Sequence, residues 1–122
     1  MTSRIEQFRK MAADDPSNEL AHFSLGRSLM EYFEFEEAAK SFRRTLEIRP
    51  DMSKAYHLLA TCLEQAGNVD EAKEILAKGI VVADERGELP HRAEMVRMLR
   101  SLGGEIPKTT KTHAPQEVGE GQ

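Results

Sequence analysis

The sequence predicts an all-α chain, an α-solenoid of about six antiparallel helices followed by a disordered tail. Three observations lead there. First, a set of small and apolar residues recurs at a stride of 34: Leu25, Gly26, Leu29, Ala38, Phe42, Leu46 and Pro50 are answered by Leu59, Ala60, Leu63, Ala72, Leu76, Ile80 and Asp84. Self-similarity at such a period marks stacked supersecondary units. Second, within each unit the apolar residues fall three and four apart, which lays them on one stripe of a helix. Third, glycine, proline and asparagine collect between the stripes, where they interrupt helices.

Taken in order, residues 3–14 place Ile5, Phe8 and Ala12 on one stripe, and Asp14-Asp15-Pro16 ends the helix because the residue before a proline is steered away from helical angles. Phe8 precedes Phe42 by 34, so this helix reads as the second, B-type half of a unit without its first half. Ser17 or Asn18 can cap the next helix, an A-type one running to Glu31 with Leu20, Phe23, Leu25, Leu29 and Met30 as its apolar surface. Gly26 on it permits a close helix neighbour. Residues 35–48 form its B-type partner through Phe35, Ala38, Ala39, Phe42 and Leu46. Glu36 and Glu37 come early and Arg43 and Arg44 late, in the sense that suits the helix dipole.

The second pair begins at Asp51 or Met52 and turns at Ala66-Gly67-Asn68, with Asn68 and Glu71 spaced as a capping box. Its B helix buries Ala72, Ile75, Leu76, Ile80 and Val82. With Asp84 where the first copy has Pro50, it is expected to run longer, toward Gly87. A last helix over 90–102 starts with Pro90 in its first turn and stops at Gly103-Gly104, with Ala93, Val96, Leu99 and Leu102 packed and Arg92, Arg97 and Arg100 toward water. The expected domain is therefore residues 1–104, with units at 19–52 and 53–86 flanked by helices at 3–14 and 90–102. That makes three helix pairs, enough for a solenoid to bury its faces. Residues 105–122 carry too little apolar surface to offset an ordering cost of about 1–2 kcal/mol per residue and are expected to be a disordered tail.

The Leu-Gly/Ala spacing, the closing Pro50 and the aromatic slot held by His22 and then Tyr56 resemble the tetratricopeptide repeat (TPR), a helix-turn-helix module of 34 residues. Thr45, Gly79 and Asp84 depart from its usual residues. The resemblance implies a right-handed superhelix whose A-type helices line a concave surface, and an adaptor or scaffold role in protein–protein interaction. On those helices it points to Phe23, Arg27 and Met30, then Lys54, His57 and Thr61, then His91, Arg92 and Met95 as a peptide-binding groove. Phe23, His57 and His91 are 34 apart and are expected to form a row. Basic groups beside an aromatic and two methionines suit a partner segment with acidic groups and an apolar anchor. The plainer reading is a solvated helix face. The clamp by which some relatives hold a peptide C-terminus needs Asn where this chain has Arg27 and Thr61.

A net charge of −4 and the absence of Trp argue against nucleic acid as the partner. The first ten residues contain no apolar run of a secretory type, and no segment approaches the ~20 apolar residues of a membrane span, so a cytoplasmic location is expected with no membrane contact. The single cysteine, Cys62, reads as a buried small side chain, since it has no second cysteine for a disulfide or metal pair. His57 and His91 could share a metal ion only with further ligands, which the pattern does not supply; no metal and no cofactor are expected. Nucleophile motifs, phosphate-cradling glycine loops and HExxH are absent, so no enzyme is expected. The alternative to peptide binding is self-assembly into a homo-oligomer through the terminal helices, by way of Met11, Met95 or Met98.

Overall fold

The computed structural model describes residues 3–108 and contains α1 (Arg4–Asp14), α2 (Glu19–Glu31), α3 (Phe35–Ile48), α4 (Ser53–Gln65), α5 (Val69–Glu85) and α6 (Leu89–Ser101). Each helix packs on the next in chain order, and α2, α4 and α6 also touch in succession. This is the connectivity of a stack. At 17 residues α5 outruns the 14 of α3, as the missing proline predicts.

The stride of 34 extends to polar contacts that composition does not disclose. The His22 imidazole donates from Nε2 to the Pro16 carbonyl at 3.0 Å, and the Tyr56 hydroxyl donates to the Pro50 carbonyl at 2.7 Å. Both tie the start of an A helix to the end of the B helix before it. Likewise Arg9 pairs with Glu37 and Arg43 with Glu71, each joining one B helix to the next. Such half-exposed pairs contribute at most about 1 kcal/mol each, so their main effect is on register.

The core is one continuous cluster built around Leu29, Phe42, Leu59, Leu63, Leu76, Ile80, Met95 and Leu99. Side-chain volumes trade between copies. A Cβ on Gly26 would lie 2.8 Å from the Phe42 ring, so the large ring requires the missing methyl. The equivalent positions of the second copy hold Ala60 and the smaller Leu76, both fully buried. Gly79 lies closer still, since its Cβ would meet Tyr56 Cβ and Met95 Sδ at 2.6 Å.

One capping expectation is met and one needs correction. Asn18 does cap α2, its carboxamide oxygen accepting from the Leu20 and Ala21 amides at 3.1 Å. Asn68, however, makes no side-chain cap bond, and the Glu71 carboxylate, which would complete the box, pairs with Arg43 while the Asn68 amide donates to the Leu63 carbonyl. The capping box sits at Ser3 and Glu6, ahead of α1. At the end of α6 the Gly104 amide donates to the Leu99 carbonyl at 2.9 Å, and Ile106, the second residue of the segment expected as a tail, packs on the core. The rest of that segment, 109–122, lies outside the described residues.

The largest correction concerns α6. The starts of α2 and α4 are 34 residues apart, but those of α4 and α6 are 36 apart. The turns that end the A helices agree, with their left-handed residues at Phe33, Gly67 and Gly103. The extension of α5 has inserted two residues, so every A-type slot in α6 moves by two. Arg92 takes the place of Tyr56, Met95 that of Leu59, Val96 that of Ala60 and Leu99 that of Leu63, and all four are buried.

Candidate functional site

Carrying the shifted register across the A helices puts Phe23, His57 and Ala93 in one row and Arg27, Thr61 and Arg97 in the next. His91 therefore stands outside the row expected of it. Arg92 and Met95 are core residues and cannot meet a ligand: Arg92 is 5% exposed and pairs through Nε with Asp84 Oδ1 at 3.3 Å, and Met95 is fully buried against Gly79. Asp84, where the stride predicted a proline, is itself buried and is the partner of this inter-helix pair.

The remaining candidates keep accessible surface. Phe23 is half-buried, its ring edge-on to Phe42 with centroids 5.7 Å apart, which holds it rigid. Arg27 is exposed and its guanidinium lies 6.0 Å from the Phe23 ring centroid. It also lines a cleft of about 240 Å³ with Arg4, Phe8, Ser24, Ser28 and Glu31. Met30, Lys54, His57, Thr61 and His91 are half-buried. The Thr61 hydroxyl is turned inward, donating to the His57 carbonyl at 3.0 Å, with Met98 Sδ 4.0 Å away.

Around His57 the seam between α4 and α6 is electrostatically crowded. Burial chiefly holds its imidazole below the usual histidine range; the positive charge of Lys54 adds to this, Glu94 opposes it, and His91 and Arg97 reinforce it. His57 is thus neutral near pH 7. Glu94 and Arg97 escaped the sequence reading because the unshifted stride selects His91, Arg92 and Met95; the signal that would have found Arg97 is Gly103, which stands 36 and not 34 residues after Gly67. Among the described residues no three His, Cys, Asp or Glu side chains are placed to hold a metal ion. Cys62 is buried and free, and burial pushes its thiol up to about 11. No helix among the described residues is long and apolar enough to cross a membrane.

The geometry is that of a stacked helical repeat, and residues 29–88 match the family model described as tetratricopeptide repeat. The chain is 31% identical over 98 residues to the TPR repeat-containing protein PA0015 of Pseudomonas aeruginosa, an alignment that takes in 80% of this chain and 93% of that one. The chain belongs to the tetratricopeptide repeat family. This TPR chain is also 41% identical over 88 residues to Protein POLLENLESS 3-LIKE 2 of Arabidopsis thaliana, covering 68% of its own length but 20% of that protein. Among solved structures it is similar to protein BPP2914 from Bordetella parapertussis, with a TM-score of 0.73, 28% identity and coverage of 84% of this chain and 90% of the other. The family places it among protein–protein interaction modules, a fold typically without enzymatic activity of its own.

Proposed function

We propose that this TPR chain is an adaptor that takes an extended segment of a partner protein along the concave face of α2, α4 and α6. One observation carries the reading. Arg4, Arg9, Arg43, Arg44, Arg49, Arg86 and Arg92 all pair with carboxylates, and Arg100 is engaged too. Among the described arginines Arg27 and Arg97 stand in no ion pair, as do Lys40, Lys54, Lys73 and Lys78 among the lysines; what sets the two arginines apart is that both fall in the same row of slots, with Thr61 between them. A partner would supply the missing charges. Packed helices sit about 8–10 Å apart, so two successive steps separate these guanidinium groups by roughly 16–20 Å, about five or six residues of extended chain. The ligand expected is a peptide with two acidic residues at that separation and an apolar side chain against Phe23 and Met30. Lys54 adds a third positive charge.

The test is capture of partners from native extract by the wild-type chain and by R27E/K54E and R27E/R97E. Loss of capture by both variants with unchanged helical circular dichroism supports the groove. Equal capture rejects it. Self-assembly through the end helices has less to stand on: Met95 is in the core and Met98 is half-buried against Thr61, which leaves Met11, 46% exposed, as its one open methionine.

A further inference from the structure

The turn between α2 and α3 departs from every other turn that leaves a helix through a left-handed residue. In the two equivalent turns the left-handed residue is glycine, Gly67 at φ 89° and Gly103 at φ 80°, and in the turn after α5 it is Gly87 at φ 71°. Here it is Phe33, at φ 62°. The hydrogen bonds are the same in all three equivalents. Phe33, Gly67 and Gly103 donate to the carbonyls of Met30, Glu64 and Arg100 at 2.9–3.0 Å, and the following amides donate to Leu29, Leu63 and Leu99 at 2.8–3.0 Å. A bulky side chain is disfavoured at such an angle, where glycine carries no penalty. Burial does not offset it, for Phe33 is 77% exposed and Tyr32 beside it 65%.

The ring nonetheless has an aromatic neighbour. Phe33 stands edge-on to Phe35 with centroids 6.1 Å apart, and Phe35 is packed against the core. Around this aromatic step lie Glu31, Glu34, Glu36 and Glu37, and no Lys or Arg occurs between Arg27 and Lys40. Glu31 and Glu37 are matched by Arg4 and Arg9 of α1. Glu34 and Glu36 are exposed and pair with no cation among the described residues. An exposed apolar patch marks an interaction surface, and this one carries two uncompensated negative charges.

We infer that the exposed Tyr32-Phe33 step at the α2–α3 turn, with Glu34 and Glu36, is a second docking surface that binds a basic segment of a partner protein. A lysine or arginine there would meet aromatic faces and carboxylates together, a combination that favours cations over neutral side chains. Its preference is opposite in sign to that of the basic row on the concave face.

The test uses three fluorescein-labelled 12-residue peptides, alternating leucine with arginine, serine or glutamate, titrated by fluorescence anisotropy against the full chain at low salt. The arginine peptide is expected to bind at least about tenfold more tightly than the serine peptide, and to weaken as salt is raised. F33G and E34K/E36K should each remove about tenfold of that affinity, whereas R27E/K54E should retain it. Because glycine is the residue found in the equivalent turns, F33G is expected to melt no lower than the wild type, which separates lost binding from lost fold. Equal affinity for the arginine and serine peptides, or unchanged binding by F33G, would overturn the inference. So would a self-association seen by light scattering that F33G abolishes without any arginine-peptide binding, since the patch would then serve a second copy of the chain.

Discussion

The joint between α3 and α4 and the joint between α5 and α6 do the same task with different chemistry. At the first, the B helix stops ahead of Pro50, and the Tyr56 hydroxyl fastens the next helix to the Pro50 carbonyl. At the second, Asp84 stands in place of the proline, α5 continues, and the slot held by Tyr56 passes to Arg92, which reaches back to Asp84. A neutral hydrogen bond to a backbone carbonyl has become a buried ion pair, and the two inserted residues have turned α6 by two slots. The lesson is that a repeat stack tolerates a change of stride at one joint when a new contact replaces the one that the old stride supplied. The second joint is reinforced outside the core as well. Arg86 pairs with Asp51 at 2.8 Å and with Glu88 at 3.3 Å. Ser53 donates to Glu88, which together with Arg86 holds that carboxyl below the usual glutamate range.

The comparison is most easily broken at the ion pair. Removing one member leaves the other buried and uncompensated, so R92L is expected to lose about 3–5 kcal/mol in urea unfolding. D84L/R92L should regain most of it, because two apolar side chains need no partner. Y56F, which removes the corresponding contact at the regular joint, should cost about 1 kcal/mol. If R92L and Y56F cost the same, the two joints are not fastened differently.

A smaller effect is expected from exchanging side-chain volume between the copies. G26A forces a methyl against the Phe42 ring and should cost about 1–3 kcal/mol; G26A/F42L, which installs the Ala60/Leu76 combination in the first copy, should recover part of that loss. G79A should be at least as costly as G26A, because one of the atoms it meets is Tyr56 Cβ, which cannot swing aside as a ring edge can.

The smallest effect is at the seam that α6 forms with α4. Burial lowers the folded-state pKa of His57 beneath its ordinary value of 6.5, so below that pH the unfolded chain takes up a proton that the folded chain refuses. The contribution of the neutral imidazole is complete above pH 6.5 and is lost as pH falls toward the lowered folded value. Urea midpoints measured between pH 7.5 and 5.5 should fall more steeply for the wild type than for H57N. Equal slopes would mean that α6 does not bury this ring.

Much of the fold was legible because burial imposes a regular stride. The apolar slots of α2 to α5, the close approach at Gly26 and the added length of α5 are all consequences of which side chains must meet. The candidate site was legible only as far as that stride held. From the sequence Arg92 reads as a groove or water-facing side chain and Asp84 only as the residue that replaces a proline, and their pairing becomes visible only when the turn between α5 and α6 brings them together. Phe33 hid its turn for the opposite reason: the left-handed position is recognised by glycine, and this turn has none. The ion pairs Arg9–Glu37 and Arg43–Glu71 obey the stride, but charged residues carry no periodic signal strong enough to be read without a structure.

The claim on which this comparison rests is that α6, seated through Met95, Val96 and Leu99, stays on the stack only while the buried charges of Asp84 and Arg92 are matched to each other. Native-state amide hydrogen exchange of R92L measures it directly, since contacts in a stack run only between neighbours and a fault at one joint stays local. The expected result is fast exchange across Leu89–Ser101 with α2, α3 and α4 still protected. An even loss of protection over all six helices, or an α6 as protected as in the wild type, would contradict it.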